Sequence, residues 1–575
     1  MFKNQPMGLY VLSLSNTGER FGYYTMLAIL LLFLQAKFAL STATAGLIYS
    51  SFLALVYFMP MLGGWVADKW NFSKTVTLGI VVMFLGYALM AVPTPRMATS
   101  SFVIMIAALL LISIGTGLFK GNLQVMVGDL YNNPRYAEKR DVAFSLFYMA
   151  INIGAMFAPS VTTGLCSYAL GKAGFAYNPA IPSLCTKYLG GDTLDADKLQ
   201  TLNDYIAAYA PDYTGNLQGF SDAFMNAIST GYSYAFLVAC GSMIISFLIY
   251  KLGRRTYMVE QNTDDKSADA AKTAAPELTP AQTKSRIIAL LLVFTVVIFF
   301  WMVFHQNGMT LTKFAEVFTQ TETSSWTRIA FNVWALATIV VLIYALFSVF
   351  QSKGKARIIS IVVAIAAIGG IAAFYATTPS PVSGLQPQIY QQFNPFYVVA
   401  LTPFSVGIFA WLAKKKKEPS APRKIGYGML VAGFAFAFLM FASLGLGTAP
   451  AEGQGETLVS PNVLITTYLF LTFAELLLSP MGISFVSKVA PPKYKGLMMG
   501  CWFGATAIGN YLVFIPALLW NEINVAVLWG ILIVVCLLSA GFIFSIMKKL
   551  EAATSDTAPT APAEDALETV EDDVI

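Results

Sequence analysis

The sequence has very little of the chemistry on which most enzymes and nucleic-acid-binding proteins depend. Only one histidine, His305, occurs among its 575 residues, so no cluster of histidines can bind a metal ion. The five cysteines show no Cys-x-x-Cys spacing, which excludes the common zinc and redox motifs. Only 12% of the residues are charged, and the net charge of +5 comes from short groups of Lys and Arg rather than from one basic face. We therefore expect no enzyme, no metal, no cofactor and no nucleic-acid partner.

What the sequence does contain is apolar side chains. Hydrophobic residues make up 57% of the chain and the mean hydropathy is +0.64, which predicts an all-α polytopic membrane protein in a lipid bilayer. The first apolar segment is too long and too charged for a cleavable signal peptide. Fourteen segments can cross a hydrocarbon core of about 30 Å: Gly8 to Phe38, Ser41 to Ala67, Ser73 to Ala91, Thr99 to Met126, Asp141 to Leu165, Gly231 to Lys251, Arg286 to Gln306, Arg328 to Gln351, Ile358 to Ala376, Phe393 to Ala413, Ile425 to Leu446, Val463 to Ala490, Lys495 to Trp520 and Val525 to Met547.

The distribution of Lys and Arg supports this number of spans. With the N-terminus in the cytoplasm, alternate loops carry nearly all the cations near the membrane, as the positive-inside rule requires. Omitting only one of the spans 328–351 and 358–376 would place the basic run Lys414 to Lys417 outside. These two spans are therefore predicted to form an added pair, and both chain termini are predicted to be cytoplasmic.

The same pattern predicts how the chain is divided. Residues 1–252 form a first six-helix half with an outside loop at 167–230, and 253–285 form a cytoplasmic linker. Residues 286–550 form a second half that includes the added pair at 326–377, and the acidic tail 551–575 is predicted to be disordered. We interpret the loop as a solvated cap. Cys166 and Cys185 could form a disulfide if this loop is outside the cell.

The first span carries the residues whose side chains cost the most free energy to place inside a bilayer. Asn16, Arg20 and Tyr24 recur every four residues on one face of a helix, and Glu19 and Tyr23 follow beside them. An ionised side chain at the centre of a bilayer costs roughly 2.5 to 3.5 kcal/mol, so such residues usually serve a function. The alternative is that Glu19 and Arg20 pair with neighbouring helices and only hold the bundle together.

Other polar residues lie deep in later spans. Lys120 lies within Gly115-Thr116-Gly117-Leu118-Phe119-Lys120-Gly121-Asn122, and Glu475 lies within Phe473-Ala474-Glu475-Leu476. Asn394 opens the span that begins Asn394-Pro395-Phe396. Because Arg20 and Lys120 suit a carboxylate while Glu475 and Asn394 suit an ammonium group, the set is matched to a zwitterion.

Two motifs resemble signatures of the proton-dependent oligopeptide transporter (POT) family, a branch of the major facilitator superfamily. Glu19-Arg20-Phe21-Gly22-Tyr23-Tyr24 resembles the first signature, and Phe147-Tyr148-Met149-Ala150-Ile151-Asn152-Ile153-Gly154 resembles the second. The chain departs from the family at two positions, because Asn16 and His305 stand where the family usually has Glu. The resemblance implies two six-helix halves, to which this chain adds the helical pair after the seventh core helix.

The resemblance also implies a function. We expect a monomeric, proton-coupled symporter of a bacterial inner membrane that imports di- and tripeptides by alternating access. The positions that match the family's binding residues imply that Arg20 and Lys120 hold the peptide C-terminus and that Glu475 and Asn394 hold the N-terminus. The remaining pocket residues are then Tyr23, Tyr24, Tyr57, Asn152 and Trp502.

The sequence leaves alternatives open for both the proton carrier and the substrate class. Glu19, His305 and Glu475 are the candidate proton carriers, and the proton could instead move with the substrate. An imidazole titrates near neutral pH, so His305 could carry the proton or could simply replace a Glu as a neutral hydrogen-bonding group. A nitrate or other small-anion carrier and a peptide sensor without net transport are the rival functions. Glu475 argues against the anion carrier, because an anion pocket needs no second carboxylate.

Overall fold

The computed structural model describes residues 5–131, 135–136, 140–258, 278–491 and 494–555, and fourteen of its helical segments are long and apolar enough to cross a membrane. This confirms the predicted number of spans. Helices are the expected solution, because inside a bilayer each backbone N–H and C=O must be bonded within its own segment. The chain is therefore a multi-pass membrane protein.

The first half contains six spanning helices and three shorter ones. The short helices α6 and α7 lie between the fifth and sixth spans, and α9 follows the sixth. The bounds are α1 Met7–Phe38, α2 Thr42–Trp70, α3 Phe72–Ala91, α4 Thr99–Asp129, α5 Arg140–Lys172, α6 Ala180–Leu189, α7 Ala196–Tyr209, α8 Leu217–Leu252 and α9 Arg254–Met258.

Among the described residues, the second half contains eight spans, two of which are built from consecutive α-helices. Spans seven and thirteen consist of α10 with α11 and α17 with α18. The bounds are α10 Pro280–Phe304, α11 Thr310–Val317, α12 Val333–Gln351, α13 Lys355–Thr377, α14 Phe393–Lys414, α15 Ala421–Ala442, α16 Pro461–Val489, α17 Lys495–Leu512, α18 Phe514–Leu519, α19 Val525–Ser545 and α20 Met547–Ser555.

Each half has its own buried apolar core, one built mainly from α1–α9 and the other from α10–α20. The halves meet where α2 packs against α17 and where α5 packs against α14. We call the end of the bundle where α1 begins and α20 lies the terminal end, and the opposite end the far end.

A glycine fixes the contact between the two signature motifs. A Cβ atom at Gly154 of α5 would lie 2.5 Å from the backbone oxygen of Thr17 in α1 and 3.2 Å from the backbone nitrogen of Phe21. Only a residue without a side chain allows the two backbones to approach this closely. The second motif therefore positions the polar face of α1 as well as its own side chains.

The added pair lies at the periphery of the second half. Helices α12 and α13 pack against each other, and α12 packs on α14. Most side chains of α13 are exposed, including Ile358 and Ile365 at 63% and 65%. In a membrane protein such side chains face lipid.

The segment predicted as an outside loop at 167–230 is much more ordered than a solvated loop. Helix α5 continues to Lys172, α8 begins at Leu217, and α6 and α7 lie between them. The ring of Tyr205 in α7 packs on Phe220 and Phe224 of α8, and Phe175 packs on the same two rings, so the segment extends the apolar core of the first half. Burial of apolar area accounts for the order that polarity alone did not predict.

Both cysteines near this segment, Cys166 and Cys185, are buried free thiols, so the structure does not contain the disulfide considered from the sequence. Burial raises the pKa of the Cys185 thiol to about 12, which keeps it protonated at neutral pH. Most of the predicted linker, 259–277, and most of the predicted tail, 556–575, lie outside the described residues.

Candidate functional site

A cavity of about 230 Å³ lies between the two halves, near the middle of the spans. Nearly all the residues predicted for a site line it, although they come from eight separate stretches of sequence. They are Asn16, Arg20, Tyr23, Tyr24, Tyr57, Lys120, Asn152, His305, Asn394, Glu475 and Trp502. Glu19 is the exception, because its side chain is fully buried and does not reach the cavity.

Glu19 instead binds its neighbour in α1. Arg20 Nε donates to Glu19 Oε2 at 2.5 Å and Arg20 Nη2 donates to Oε1 at 2.6 Å, which makes a bidentate ion pair. The pair therefore forms within one helix. The bundle-stabilising alternative required ion pairs with neighbouring helices instead. In this state the charge of Arg20 is already matched by a carboxylate.

Lys120 is the cation that remains without an ionic partner on the first-half side of the cavity. Its Nζ lies 4.0 Å from the centroid of the Tyr57 ring, in a cation–π contact. Among the residues that the structure describes, no carboxylate lies within 4.0 Å of it. The Lys120 ammonium group can therefore accept a carboxylate from a ligand.

Glu475 is the corresponding carboxylate on the second-half side. Asn394 Nδ2 donates to its Oε2 at 2.8 Å, and the hydroxyl of Tyr148 donates to its Oε1 at 3.2 Å. Both donors are neutral, so the negative charge has hydrogen bonds but no cation within the described part of the chain. Because Tyr148 belongs to α5 and Glu475 to α16, this contact also joins the two halves.

His305 lies where the seventh span is broken. Helix α10 ends at Phe304, and residues His305–Gly308 form a 3₁₀ turn before α11. The imidazole stacks on Trp301 with ring centroids 5.0 Å apart and meets the edge of Tyr57 at 6.2 Å. The predicted span ended at Gln306, one residue after His305, whereas the structure places His305 at the start of the turn, where it lines the cavity.

Five buried polar atoms of cavity-lining residues have no hydrogen-bond partner within the described chain. They are Asn16 Nδ2, Tyr23 Oη, Trp301 Nε1, His305 Nδ1 and Ser479 Oγ. Leaving a buried donor or acceptor unpaired costs about 1 to 3 kcal/mol, so native proteins rarely do it without a reason. Because these five residues line one cavity, their free polar atoms are available to a polar ligand or to water.

Sequence reasoning missed several residues of the site. Tyr148 lies four residues before Asn152, whose side chain donates to the Tyr148 carbonyl at 3.0 Å, so helical spacing could have identified it. Thr472, which accepts from Asn394 at 3.1 Å, lies three residues before Glu475 and could have been found in the same way. Gln391 and Asn307 also line the cavity, but they lie in short turns that carried no periodic signal.

Between the cavity and the far end, the halves are joined by polar contacts. Gln391 Nε2 donates to the Ala28 carbonyl at 3.2 Å and to the Thr312 hydroxyl at 3.1 Å. Beyond this layer lies a second cavity of about 480 Å³, which the ion pair of Lys313 and Glu316 lines.

At the far end itself, the ordered segment of the first half is joined to the second half by Glu452. Its carboxylate accepts hydrogen bonds from Lys198 at 2.7 Å and pairs with Lys187 at 3.1 Å. Burial alone would raise the pKa of Glu452, but the hydrogen bonds and charges of these two lysines outweigh it and lower that pKa. The backbone N–H of Gly453 also donates to the Ser183 hydroxyl at 2.8 Å. Together these contacts join the two halves at the far end.

Two helical halves around a central polar cavity, which is lined by side chains from both halves, define a membrane transporter of the major facilitator fold. The sequence model of the POT family matches residues 73–276 and 356–529, and the chain belongs to that family. It is therefore a transporter and not an enzyme.

Curated relatives match along most of the chain. The "Uncharacterized transporter YclF" of Bacillus subtilis (strain 168) is 26% identical over 584 residues, covering 96% of each chain. The "Dipeptide and tripeptide permease A" of Escherichia coli (strain K12) is 24% identical over 532 residues, which are 88% of this chain and 84% of the relative.

Solved structures show the same fold. A mutant of the peptide transporter POT in complex with alafosfalin matches with a TM-score of 0.64 and 20% identity, covering 96% of both chains. A POT family transporter in complex with 5-aminolevulinic acid matches with a TM-score of 0.63 and 19% identity, covering 96% of this chain and 98% of the other. Tetrameric PepTSo2 matches with a TM-score of 0.57 and 20% identity, covering 95% of this chain and 98% of the other.

Proposed function

We propose that this chain is a proton-coupled symporter that imports di- and tripeptides by alternating access. One observation carries the proposal: Lys120 and Glu475 are opposite charges without an ionic partner among the described residues, on opposite halves of one cavity. A peptide backbone has a carboxylate at one end and an ammonium group at the other, so it can satisfy both. The names of the permease relatives support the same substrate class.

The polar contacts suggest which end of the peptide binds where. The peptide carboxylate binds Lys120 and then Arg20, whereas the ammonium group binds Glu475 with Asn394. Tyr23, Tyr24, Tyr57, Asn152 and Trp502 surround the peptide backbone. A small anion would use only the cationic side of this cavity and would leave Glu475 unmatched.

The Glu19–Arg20 ion pair supplies a route for coupling to protons. When Glu19 accepts a proton, it loses its negative charge and Arg20 becomes free to bind the peptide carboxylate. His305 and Glu475, which line the same cavity, are the other candidate proton carriers. Proton uptake and peptide binding would thereby favour each other.

Alternating access then requires the far end to open. The contacts of Glu452 and Gln391 close this end in the present state, and rocking of the two halves would break them. With both termini in the cytoplasm, as the distribution of basic residues predicts, the far end faces outside.

Uptake of labelled dialanine into liposomes tests this function. The purified protein is reconstituted, and accumulation is measured with and without an inward proton gradient for the wild type and for His305→Ala. Gradient-dependent accumulation supports a coupled peptide symporter, and its loss in His305→Ala supports a place for His305 in the proton path. If His305→Ala accumulates dialanine normally, Glu19 and Glu475 remain as proton carriers.

Two other results would contradict the proposal. Binding of dialanine without accumulation would support a sensor, and uptake of nitrate without binding of dialanine would support an anion carrier. Lys548→Ala is the control, because it removes an exposed cation from the terminal end of the bundle, far from the cavity.

A further inference from the structure

An exposed group of seven cations lies on the rim of the second half at the terminal end. We call it the basic lip and define it as Lys353, Lys355, Arg357, Lys414, Lys415, Lys416 and Lys417. Lys353 lies in the turn between α12 and α13, Lys355 and Arg357 lie in the first turn of α13, and the others end α14 and begin the loop after it. All seven are exposed.

Helix packing brings the two parts of the basic lip together. Helices α12 and α14 run in the same direction, with the rings of Phe347 and Phe404 4.9 Å apart and the Tyr344 hydroxyl donating to the Val399 carbonyl at 3.2 Å. Beyond Phe347, α12 continues for about one turn to Gln351, and beyond Phe404, α14 continues for nearly three turns to Lys414. Both helices therefore run from this contact toward the same end of the bundle, where the cations of both parts lie.

No acidic residue within the described chain balances these charges. Among the described residues, none of the seven cations has a carboxylate within 4.0 Å, and the Lys415 ammonium group lies 3.9 Å from the centroid of the Trp411 ring. The nearby acids are already engaged, because Glu418 pairs with Lys424 at 2.5 Å and Glu551 pairs with Arg423 at 2.7 Å. Like charges this close repel one another unless an external anion balances them.

The neighbouring apolar side chains indicate where that anion comes from. Phe350, Ile358 and Trp411 are exposed by 85%, 63% and 55%, and they flank the basic lip on the surface of α12, α13 and α14. Exposed apolar side chains on spanning helices face hydrocarbon, and an aromatic ring followed by cations marks the boundary with the headgroups. Clusters of four to eight Lys or Arg at this level attract anionic lipids.

We propose that the basic lip is a lateral binding site for the headgroups of anionic phospholipids. The added helical pair then has a role of its own, because it supplies three of the seven cations and the lipid-facing wall beside them. This inference does not depend on the substrate of the transporter.

Native mass spectrometry of the full chain in detergent tests the site. The protein is titrated with phosphatidylglycerol and, separately, with the neutral phosphatidylcholine. The test variant carries Lys414→Gln, Lys415→Gln, Lys416→Gln and Lys417→Gln. The control carries Lys251→Gln, Arg254→Gln, Lys548→Gln and Lys549→Gln, which remove four exposed cations from α8, α9 and α20 at the same end.

Each cation near an anionic surface is worth roughly a fivefold gain in affinity, so we expect the test variant to bind phosphatidylglycerol at least tenfold more weakly. We expect the affinity of the control variant for phosphatidylglycerol to stay within about twofold of that of the wild type. All the proteins should bind phosphatidylcholine with similar affinity. Equal losses in both variants would overturn the proposal, because they would show that only net charge matters. A variant with Lys353→Gln, Lys355→Gln and Arg357→Gln repeats the test if the first variant is not monodisperse.

The acidic sequence at 556–575 offers the other source of negative charge. It contains seven Asp and Glu, which can be changed together to Asn and Gln. If that change raises phosphatidylglycerol affinity tenfold or more, the acidic sequence and not lipid occupies the basic lip in the wild type, and the proposal is overturned. Unchanged affinity supports lipid as the occupant.

Discussion

At the scale of single residues, the cavity takes its positive charges from the first half of the molecule and its negative charge from the second half. The cations Arg20 and Lys120 come from α1 and α4, whereas Glu475 comes from α16. A ligand that bridges them is held by both halves at once, and this is the arrangement a rocking transporter needs. The individual charges can therefore be tested one at a time.

We expect Glu475→Gln to bind dialanine at least tenfold more weakly than the wild type. Gln keeps the shape and one hydrogen-bond acceptor for Asn394, but it removes the charge that would pair with the peptide ammonium group. An ionic hydrogen bond of this kind is worth about 1.5 to 3 kcal/mol. Isothermal titration calorimetry in detergent measures the affinity. N-acetylated dialanine is the control ligand: because it has no ammonium group, its affinity should change little between the wild type and Glu475→Gln. A similar loss for both ligands would contradict the assignment.

For Glu19→Gln we expect a different result. Without its ionic partner Arg20 stays available to a carboxylate, so dialanine binding at neutral pH should equal or exceed that of the wild type. Uptake driven by a proton gradient should fall at least tenfold, because Gln cannot take up a proton. Binding and uptake are measured on the same preparations. Parallel loss of both would indicate that Glu19 only stabilises α1.

At the scale of helices, the crossing of α1 and α5 determines whether the site can form. Gly154 allows the two backbones to touch, so both signature motifs depend on one small residue. This kind of contact predicts a strong effect from a very small substitution.

We expect Gly154→Ala to lower the melting temperature and to reduce dialanine uptake. The added Cβ would lie 2.5 Å from the Thr17 carbonyl oxygen, so α1 or α5 must move, at a cost of about 1 to 3 kcal/mol. Gly164→Ala on the same helix is the control, because its Cβ meets nothing within 4 Å. Thermal unfolding in detergent measures the difference. Similar melting temperatures for the two variants would show that the crossing tolerates movement.

At the scale of the whole molecule, Glu452 joins the halves at the far end. We expect Glu452→Gln to lengthen the distance between spin labels at Gln200 and Thr457, measured by pulsed electron spin resonance in nanodiscs. The reason is that both lysines of the first half lose their ionic partner. Glu456→Gln is the control, since it removes a charge four residues away that pairs with no cation in the described chain. An unchanged distance in Glu452→Gln would mean that other contacts suffice for closure.

The same contact has a predictable pH dependence. Because the two lysines lower the pKa of Glu452, the ion pair persists at pH 4.5, its ordinary value, and is lost only as the pH falls through the lowered pKa. The wild type should therefore resemble Glu452→Gln only below pH 4.5, and the variant itself should show no such change.

The sequence predicted the spans and most of the cavity for clear physical reasons. Apolar length and the placement of basic residues determine how often a chain crosses a bilayer. Polar residues inside such spans, such as Lys120 and Glu475, are costly enough to indicate a site before its geometry is known. The fourteen spans are confirmed, and the predicted residues meet in one cavity.

Three features could not be predicted. Adjacent helical residues normally point in different directions, so nothing in the sequence indicated that Arg20 would fold back onto Glu19. The turn at His305 has no Gly or Pro before it to mark a break, and Gly308 comes only at its end. The order of 173–216 depends on aromatic packing against α8, which is a tertiary contact.

The solitary histidine gives the molecule a built-in spectroscopic probe. Since His305 is the one histidine in the chain and stacks on Trp301 beside the substrate cavity, growth on ¹⁵N-labelled histidine places a single imidazole signal at the centre of the transporter. Its chemical shifts would report tautomer and protonation state in the unmodified protein. Peptide arrival and proton movement could thus be followed on one resonance, without mutagenesis or an attached dye.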